Sequence, residues 1–173
     1  MSDFKTKLTE FDIKFRNRIV NSLEINNSQI FYCERNIIFI LEKFFESAKY
    51  SINIFVKSLN DINFRDFDYI LRSQRNLPKE GIKIIEIVNQ IPKKVVDYYY
   101  DNLLNNFNDN VIAYQPIKYK GNPFDLMTFI IIDNKRYIIK YPTEPSIFNV
   151  CCYDPDKCAE RNEFFNAIWN IEK

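Results

Sequence analysis

Short apolar runs that alternate with amphipathic segments are the feature that most constrains the fold of this chain. The runs are rich in isoleucine, valine and aromatic residues, a composition that favours strands. They cover residues 51–56, 82–88, 111–114, 129–132, 137–139 and 147–152. Apolar residues at three- and four-residue spacing, together with capping residues, predict helices at about 34–48, from 61–64 onward, from Pro92 and from 154–155. This alternation is typical of an α/β protein.

The order of these segments also predicts how the strands pair. Strands separated by helices run parallel through right-handed crossovers. The runs 129–132 and 137–139 flank the turn residues 133–135 and predict a hairpin, which adds antiparallel strands. We therefore predict a three-layer α/β/α sandwich with a mixed, mostly parallel sheet and a C-terminal β-hairpin.

The first residues of the chain carry a weaker pattern. Apolar residues from Leu8 to Leu23 fit one helical face, although Phe11, Ile13 and Phe15 also alternate as in a strand. We favour the helix. The predicted organisation is an N-terminal helical extension at residues 1–32 followed by an α/β domain at residues 33–173.

Two scarce residue types exclude several kinds of chemistry. The chain of 173 residues has two glycines, Gly81 and Gly121, so a glycine-rich phosphate-binding loop is excluded. It has no histidine, which removes the commonest general base and every histidine-dependent catalytic or metal site. We expect no cofactor.

Charge and hydropathy point to an intracellular protein. The formal net charge is +1, so no overall attraction to nucleic acid or to anionic membranes is expected. The start of the chain has no apolar stretch of signal-peptide length, and no segment approaches about 18 consecutive apolar residues. We expect a cytoplasmic location with reduced thiols and no membrane partner.

Four stretches carry a resemblance to one half of the phospholipase D superfamily. Residues 44–55 are similar to the family's helix and first strand, and residues 81–84 to its second strand. Residues 126–134 resemble the strand that bears the signature HxKxxxxD, and residues 165–169 resemble its closing helix. The likeness covers roughly residues 33–173 and implies the same fold for this region.

The signature itself is degenerate in this chain. With Asp133 at the aspartate position, Leu126 stands at the histidine position and Thr128 at the lysine position. In the family the histidine attacks phosphorus and the lysine holds the phosphate. The resemblance therefore implies a copy without phosphodiesterase activity. Asp133 alone matches, and it is also explained as the first residue of a tight hairpin turn.

The resemblance further implies a role in binding. Degenerate copies of this kind suit ligand sensing or dimerisation, and two halves pack face to face in the family. We expect a homodimer with the former cleft at the shared interface. The chain would then act as a regulatory or accessory protein, through a protein partner or a small anionic ligand.

Several polar residues follow predicted strands, where α/β sheets present their ligands. They could together form a polar cleft with some positive charge, although their positions in solvated loops are the simpler explanation. The candidate ligand-binding residues are Lys57, Ser58, Asn89, Gln90, Asn122, Asp125, Lys140 and Tyr141, with Lys118 and Lys120 nearby.

Neither the cysteines nor the tyrosine cluster predicts a site. Cys151, Cys152 and Cys158 lack the spacing of zinc knuckles, so we expect ordinary buried thiols and no metal. Residues 98–100 are three tyrosines, but consecutive helical residues point in different directions and form no stacking platform.

Two alternatives stay open beside the non-catalytic binding module. One is a nuclease or other phosphodiesterase that uses convergent carboxylates and a divalent metal. The other is a nucleic-acid-binding accessory protein without chemistry, which a continuous basic face would favour.

Overall fold

A computed structural model describes residues 8–59, 69–70, 77–89, 91–106, 112–122 and 126–171. The predicted helix from 61–64 begins outside these residues. The helices and strands in chain order are α1 (Glu10–Glu24), β1 (Ile30–Cys33), α2 (Ile37–Glu46), β2 (Ile52–Val56), β3 (Ile82–Ile87), α3 (Lys93–Asn106), β4 (Ile112–Ile117), β5 (Thr128–Ile132), β6 (Arg136–Lys140), β7 (Phe148–Cys151) and α4 (Pro155–Ile171).

One mixed sheet organises the fold. Its seven strands lie in the order β1-β7-β6-β5-β2-β3-β4. Only β2–β3 and β3–β4 pair in parallel, and the other neighbours are antiparallel. The predicted α/β class with a mixed sheet and a hairpin is confirmed. The expectation of a mostly parallel sheet is wrong, because the β5–β6 hairpin pairs with β2 in an antiparallel orientation. Strands β7 and β1 then extend the antiparallel part of the sheet beyond β6.

Strand β1 was not predicted from the sequence. It forms an edge of the sheet and pairs with β7, with Phe31 opposite Val150. The sequence-based division between residues 32 and 33 therefore falls inside this strand. Helix α1 was predicted, and its Ile19 is fully buried in the same core as Phe31.

Helices cover both faces of the sheet, as the three-layer prediction requires. On one face, residues of α1 and α2 join the core, and Val95 and Val96 of α3 pack against it. On the other face α4 contributes Cys158, Phe165 and Trp169 to a second core. Buried apolar side chains on both sides explain why the central strands are almost continuously apolar.

Local signals fix where several elements begin. The backbone N–H of Lys157 donates to the Asp154 carboxylate at 3.0 Å, so the predicted cap of α4 is confirmed. Gly81 has φ of 75°, a conformation that favours glycine, immediately before β3.

Within the described residues, no helix has the length and apolar character needed to cross a membrane.

Candidate functional site: the carboxyl edge of the sheet

One edge of the sheet gathers most of the candidate residues. Strands β2, β3 and β4 end at this edge. Because β5 is antiparallel to β2, with Phe129 opposite Phe55, β5 starts here, and Thr128 lies opposite Lys140 at the end of β6. We call this the carboxyl edge. Strand β1 also ends here, since Cys33 lies opposite Phe148 and Phe148 lies opposite Lys140. The described residues of the edge are 34–36, 57–59, 88–89, 118–122, 126–128 and 140–147.

The structure places five of the predicted residues directly at this edge. Lys57 and Ser58 follow β2 and are half-buried, and exposed Asn89 follows β3. Lys140 ends β6, and Tyr141 follows it. The remaining predicted residues are Asn122, exposed in the connection from β4 to β5, and Gln90 and Asp125, which lie outside the described residues.

Asn89 has a structural partner. Its side-chain N–H donates to the Tyr119 carbonyl at 2.6 Å, and its side-chain oxygen accepts from the Tyr119 N–H at 2.8 Å. These bonds join the segment after β3 to the segment after β4. The amide therefore positions the edge, and both of its polar atoms are engaged.

The carboxyl edge has an excess of positive charge. Among its described residues, the basic side chains of Arg35, Lys57, Lys118, Lys120 and Lys140 accompany two carboxylates, Glu34 and Glu144. Among the residues that the structure describes, none of these lysines has a carboxylate oxygen within ion-pair distance. The Lys140 ammonium instead lies 5.4 Å from the centre of the Phe148 ring, a cation–π contact.

The two residues that align with the histidine and lysine of the phospholipase D signature offer no catalytic group. Leu126 is half-buried and packs against the core on the α4 face. Thr128 is buried, and its hydroxyl has no hydrogen-bond partner among the described residues. A neutral alcohol and an alkyl chain supply neither a nucleophile activated by a base nor a charge for phosphate.

Asp133 lies at the other end of β5. Because a strand rises about 3.3 Å per residue, Asp133 is about 16 Å from Thr128. Asp133 and Asn134 have φ of 53° and 55°, so the interpretation of Asp133 as a turn residue is confirmed. Its carboxylate accepts hydrogen bonds of 2.7–3.1 Å from the backbone N–H groups of residues 49–51. It also lies 3.7 Å from buried Arg136. Asp133 is thus a structural anchor away from the carboxyl edge.

All four cysteines are buried, and none forms a disulfide bond. Burial raises the pKa of Cys33 to about 11 and the pKa values of Cys152 and Cys158 to about 12. These thiols stay protonated at neutral pH and are poor nucleophiles. In the part of the chain that the structure describes, no group of three or more His, Cys, Asp or Glu residues could hold a metal ion.

A buried carboxylate near the carboxyl edge was missed by the sequence analysis. Glu86 of β3 is fully buried and accepts hydrogen bonds from the Leu59 N–H, at 2.8 Å, and from the Tyr114 hydroxyl. It holds the segment after β2 against the sheet. The available signal was a single acidic residue within the apolar run 82–88.

Comparison with known proteins gives likeness of fold alone. No family model matches the sequence, and no curated protein does. TrmBL2, an archaeal chromatin protein whose structure shows a novel mode of DNA binding, superposes with a TM-score of 0.52 at 14% identity, over 93% of this chain and 61% of that chain. NucT from Helicobacter pylori superposes with a TM-score of 0.49 at 15% sequence identity, over 82% of this chain and 94% of NucT. The chain thus spans 61% of the length of TrmBL2.

Proposed function

We propose that this chain is a non-catalytic, degenerate phospholipase D-like domain that binds nucleic acid at its carboxyl edge. The observation that carries the proposal is the excess of basic residues there, with Glu34 and Glu144 as the two carboxylates among the described residues of that edge. Lysines without an acidic partner can neutralise phosphates and release the counterions that phosphates hold.

The opposite edge of the sheet supports this choice by contrast. Its described segments, residues 25–29, 47–51, 77–81, 133–135 and 152–154, carry equal numbers of basic and acidic residues. These are Lys49, Lys79 and Lys135 with Glu80, Asp133 and Asp154. The positive charge is therefore concentrated at the edge where α/β sheets bind their ligands.

The spread of the lysines favours a polymer over a small anion. Neighbouring strands lie about 4.8 Å apart, so β6 and β4 are separated by about 19 Å across the sheet. Lys140 ends β6 and Lys118 follows β4, while Lys57 lies between them. A small anion contacts one such position, whereas a nucleic-acid backbone can contact all three. The DNA binding described for TrmBL2 gives a precedent on a similar fold.

The proposed lack of chemistry rests on the altered signature. Leu126 and Thr128 replace the family's histidine and lysine, and the chain has no other histidine. A carboxylate-dependent nuclease remains the competing function. It predicts cleavage of the bound nucleic acid when Mg²⁺ is added.

The test is binding of a labelled single-stranded DNA oligonucleotide, followed by fluorescence anisotropy at several salt concentrations. Lys57→Ala plus Lys140→Ala should abolish measurable binding without lowering the melting temperature. Lys49→Ala plus Lys79→Ala removes the same charge from the opposite edge and should leave binding nearly unchanged.

Three results would contradict the proposal. The wild type could fail to bind, the two double variants could lose the same affinity, or the bound oligonucleotide could be cut in the presence of Mg²⁺. The first two results reject the carboxyl edge as a nucleic-acid site. The third supports the nuclease.

The homodimer stays a prediction. The edge strand β1 offers a surface for it that differs from the former cleft expected from the family resemblance. This strand is an edge of the sheet, and the Ile30 and Tyr32 side chains are exposed on its outer face. Exposed apolar side chains on an edge strand favour association. Light scattering should give a mass near twice 20.9 kDa. A monomeric mass would reject the dimer and leave the carboxyl-edge proposal intact.

A further inference from the structure

A cavity of about 370 Å³ opens where β1 ends. Its lining comes from the start of α1, the end of β1, the start of α2 and the segment before β7. Cys33 at the end of β1 pairs with Phe148, which pairs with Lys140. The cavity therefore belongs to the same side of the sheet as the carboxyl edge. Strand β1 lies about 10 Å from β6, two strand spacings away.

Exposed aromatic side chains contribute to this lining. Phe11 is 75% exposed and Tyr32 is 66% exposed, although both are large apolar groups. The Phe11 ring stacks against the ring of Phe15 at 6.5 Å with an interplanar angle of 21°. Phe15 in turn packs edge-on against buried Phe31 at 6.0 Å. Phe11 thus presents a ring that is supported from behind and has little role in the core.

The polar part of the lining is held rigidly. The Asn36 side-chain N–H donates to the Asp12 carboxylate at 2.8 Å, and the Arg16 guanidinium donates to the Asn36 side-chain oxygen at 2.7 Å. Thr9 donates to the same carboxylate through its hydroxyl at 2.7 Å and its N–H at 3.1 Å. These bonds fix α1 against the start of α2, so the cavity is formed before any ligand arrives.

The charges of the lining select against an ionic ligand. Hydrogen bonds from Thr9 and Asn36 lower the pKa of Asp12 to about 2, so it is ionised at neutral pH. Together with Glu34 it opposes entry of a phosphate. A cation finds little attraction either, since both Asp12 oxygens already accept hydrogen bonds and Arg35 also lines the cavity. A flat, neutral group with hydrogen-bonding edges fits these conditions.

We propose that this cavity binds one base of a single-stranded nucleic acid, stacked on Phe11, while the phosphates continue along the lysines of the carboxyl edge. The inference rests on the proposed function and adds to it the strandedness of the ligand and a contact to a base. Ligand cavities span about 300–1,000 Å³, so this one suits a single base. Stacking of a base on an aromatic side chain depends little on sequence, so we expect weak base preference.

The test compares the wild type with Phe11→Ala on two ligands. One is a single-stranded DNA oligonucleotide of about 12 nucleotides with 2-aminopurine at one position, and the other is an abasic deoxyribose-phosphate polymer of the same length. Phe11→Ala should weaken oligonucleotide binding about tenfold, remove the quenching of 2-aminopurine, and leave abasic-polymer binding unchanged. Ile13→Ala changes an exposed residue of the same helix outside the lining and should have no effect.

Each other outcome has one meaning. Equal oligonucleotide binding by the wild type and Phe11→Ala rejects the base site but leaves the lysine edge intact. Equal affinity of the wild type for the oligonucleotide and the abasic polymer rejects it as well. Tight binding of free adenosine, without preference for the oligonucleotide, assigns the cavity to a mononucleoside and rejects the polymer. Binding of neither polymer by the wild type rejects the proposed function itself.

Discussion

Charged side chains have different surroundings at the two ends of β5. At the end that carries Asp133, the carboxylate accepts hydrogen bonds from three successive backbone N–H groups and is 2% exposed. At the end that carries Thr128, the neighbouring strands bring Lys57 and Lys140, which have no carboxylate within ion-pair distance among the described residues. The same strand therefore joins an edge where a carboxylate is buried among its hydrogen-bond donors to an edge where basic residues outnumber carboxylates.

This difference distinguishes residues that stabilise the fold from residues that are available to bind a ligand. A buried carboxylate that accepts several hydrogen bonds, such as that of Asp133, holds the fold, and removing it leaves its donors unsatisfied. Surface lysines contribute little to stability, so the excess of basic over acidic residues at one edge calls for another explanation. Substitutions at the two edges should therefore have different consequences, and the following predictions test that contrast.

The largest effect is expected for Asp133→Ala. The substitution leaves the N–H groups of residues 49–51 without their acceptor and leaves buried Arg136 without its counter-charge. It also places alanine at φ of 53°. We expect the free energy of unfolding to fall by about 3–5 kcal/mol. Urea denaturation measures this change.

Asp133→Asn is the matched control, because asparagine tolerates positive φ and keeps one acceptor oxygen. Asp133→Asn should lower the free energy of unfolding clearly less than Asp133→Ala does. A loss below about 1 kcal/mol for the alanine variant would show that the anchor is dispensable and would weaken the contrast between the two edges.

A second network at the edge of Asp133 should give an intermediate effect. Asn162 of α4 accepts a hydrogen bond from the Asn53 side chain at 2.9 Å and donates to the Asn134 side chain at 2.5 Å. Asn162→Ala leaves the buried Asn53 side-chain amide without its hydrogen-bond acceptor. We expect the free energy of unfolding to fall by about 1–3 kcal/mol. Thermal and urea unfolding measure it.

The control is the double variant Asn53→Ala plus Asn162→Ala. Removing both partners should cost less than the sum of the two single substitutions, because no buried amide is left alone. Simple additivity would mean that the two side chains are independent, against the bond seen in the structure.

Much of the fold could be predicted from the sequence because its strongest elements are local. Strands β2 and β3, the hairpin and α4 have continuous apolar runs or clear caps, and each was predicted within a few residues. Strand β1 has only four residues, two of which are exposed, and its partner β7 lies more than 100 residues away. Such a strand depends on a distant pairing that leaves little local signal.

The place of several candidate residues in the fold could be predicted from the sequence, whereas their contacts could not. The rule that ligands lie beyond the ends of parallel strands located Lys57 and Asn89. The rule could not show that Tyr119 occupies both polar atoms of the Asn89 amide, since this contact depends on how two connections approach each other. The Asp133 turn was visible in the sequence, whereas its bonds to residues 49–51 were not, for the same reason.

Lysines of the carboxyl edge should show a small effect on stability and a measurable effect on binding. Lys118 is exposed, and Lys118→Ala should change the free energy of unfolding by no more than about 0.5 kcal/mol. If it contacts one phosphate, the slope of log affinity against log salt should fall by about 0.7. Lys79→Ala at the opposite edge should leave the slope unchanged. Equal slopes for both variants would remove the distinction between the edges.

The smallest effect concerns Asp12, whose carboxylate belongs to the cavity beside β1. Its pKa is lowered to about 2 in the folded chain, first by hydrogen bonds from the Thr9 and Asn36 side chains. A group with a depressed folded pKa stabilises the fold above its unfolded pKa of about 3.9, and this contribution is lost as the pH falls toward 2.

Asp12→Asn should therefore lower the melting temperature at pH 7 by a small amount, and the difference from the wild type should shrink steadily between pH 4 and pH 2. Thermal unfolding followed by circular dichroism across this range measures the difference. Glu10→Gln removes an exposed carboxylate from the same helical turn and controls for the loss of negative charge near the helix N-terminus. A difference between wild type and Asp12→Asn that stays constant down to pH 2 would mean that the ionised carboxylate does not hold α1 against α2, and the cavity would then lose its preformed lining.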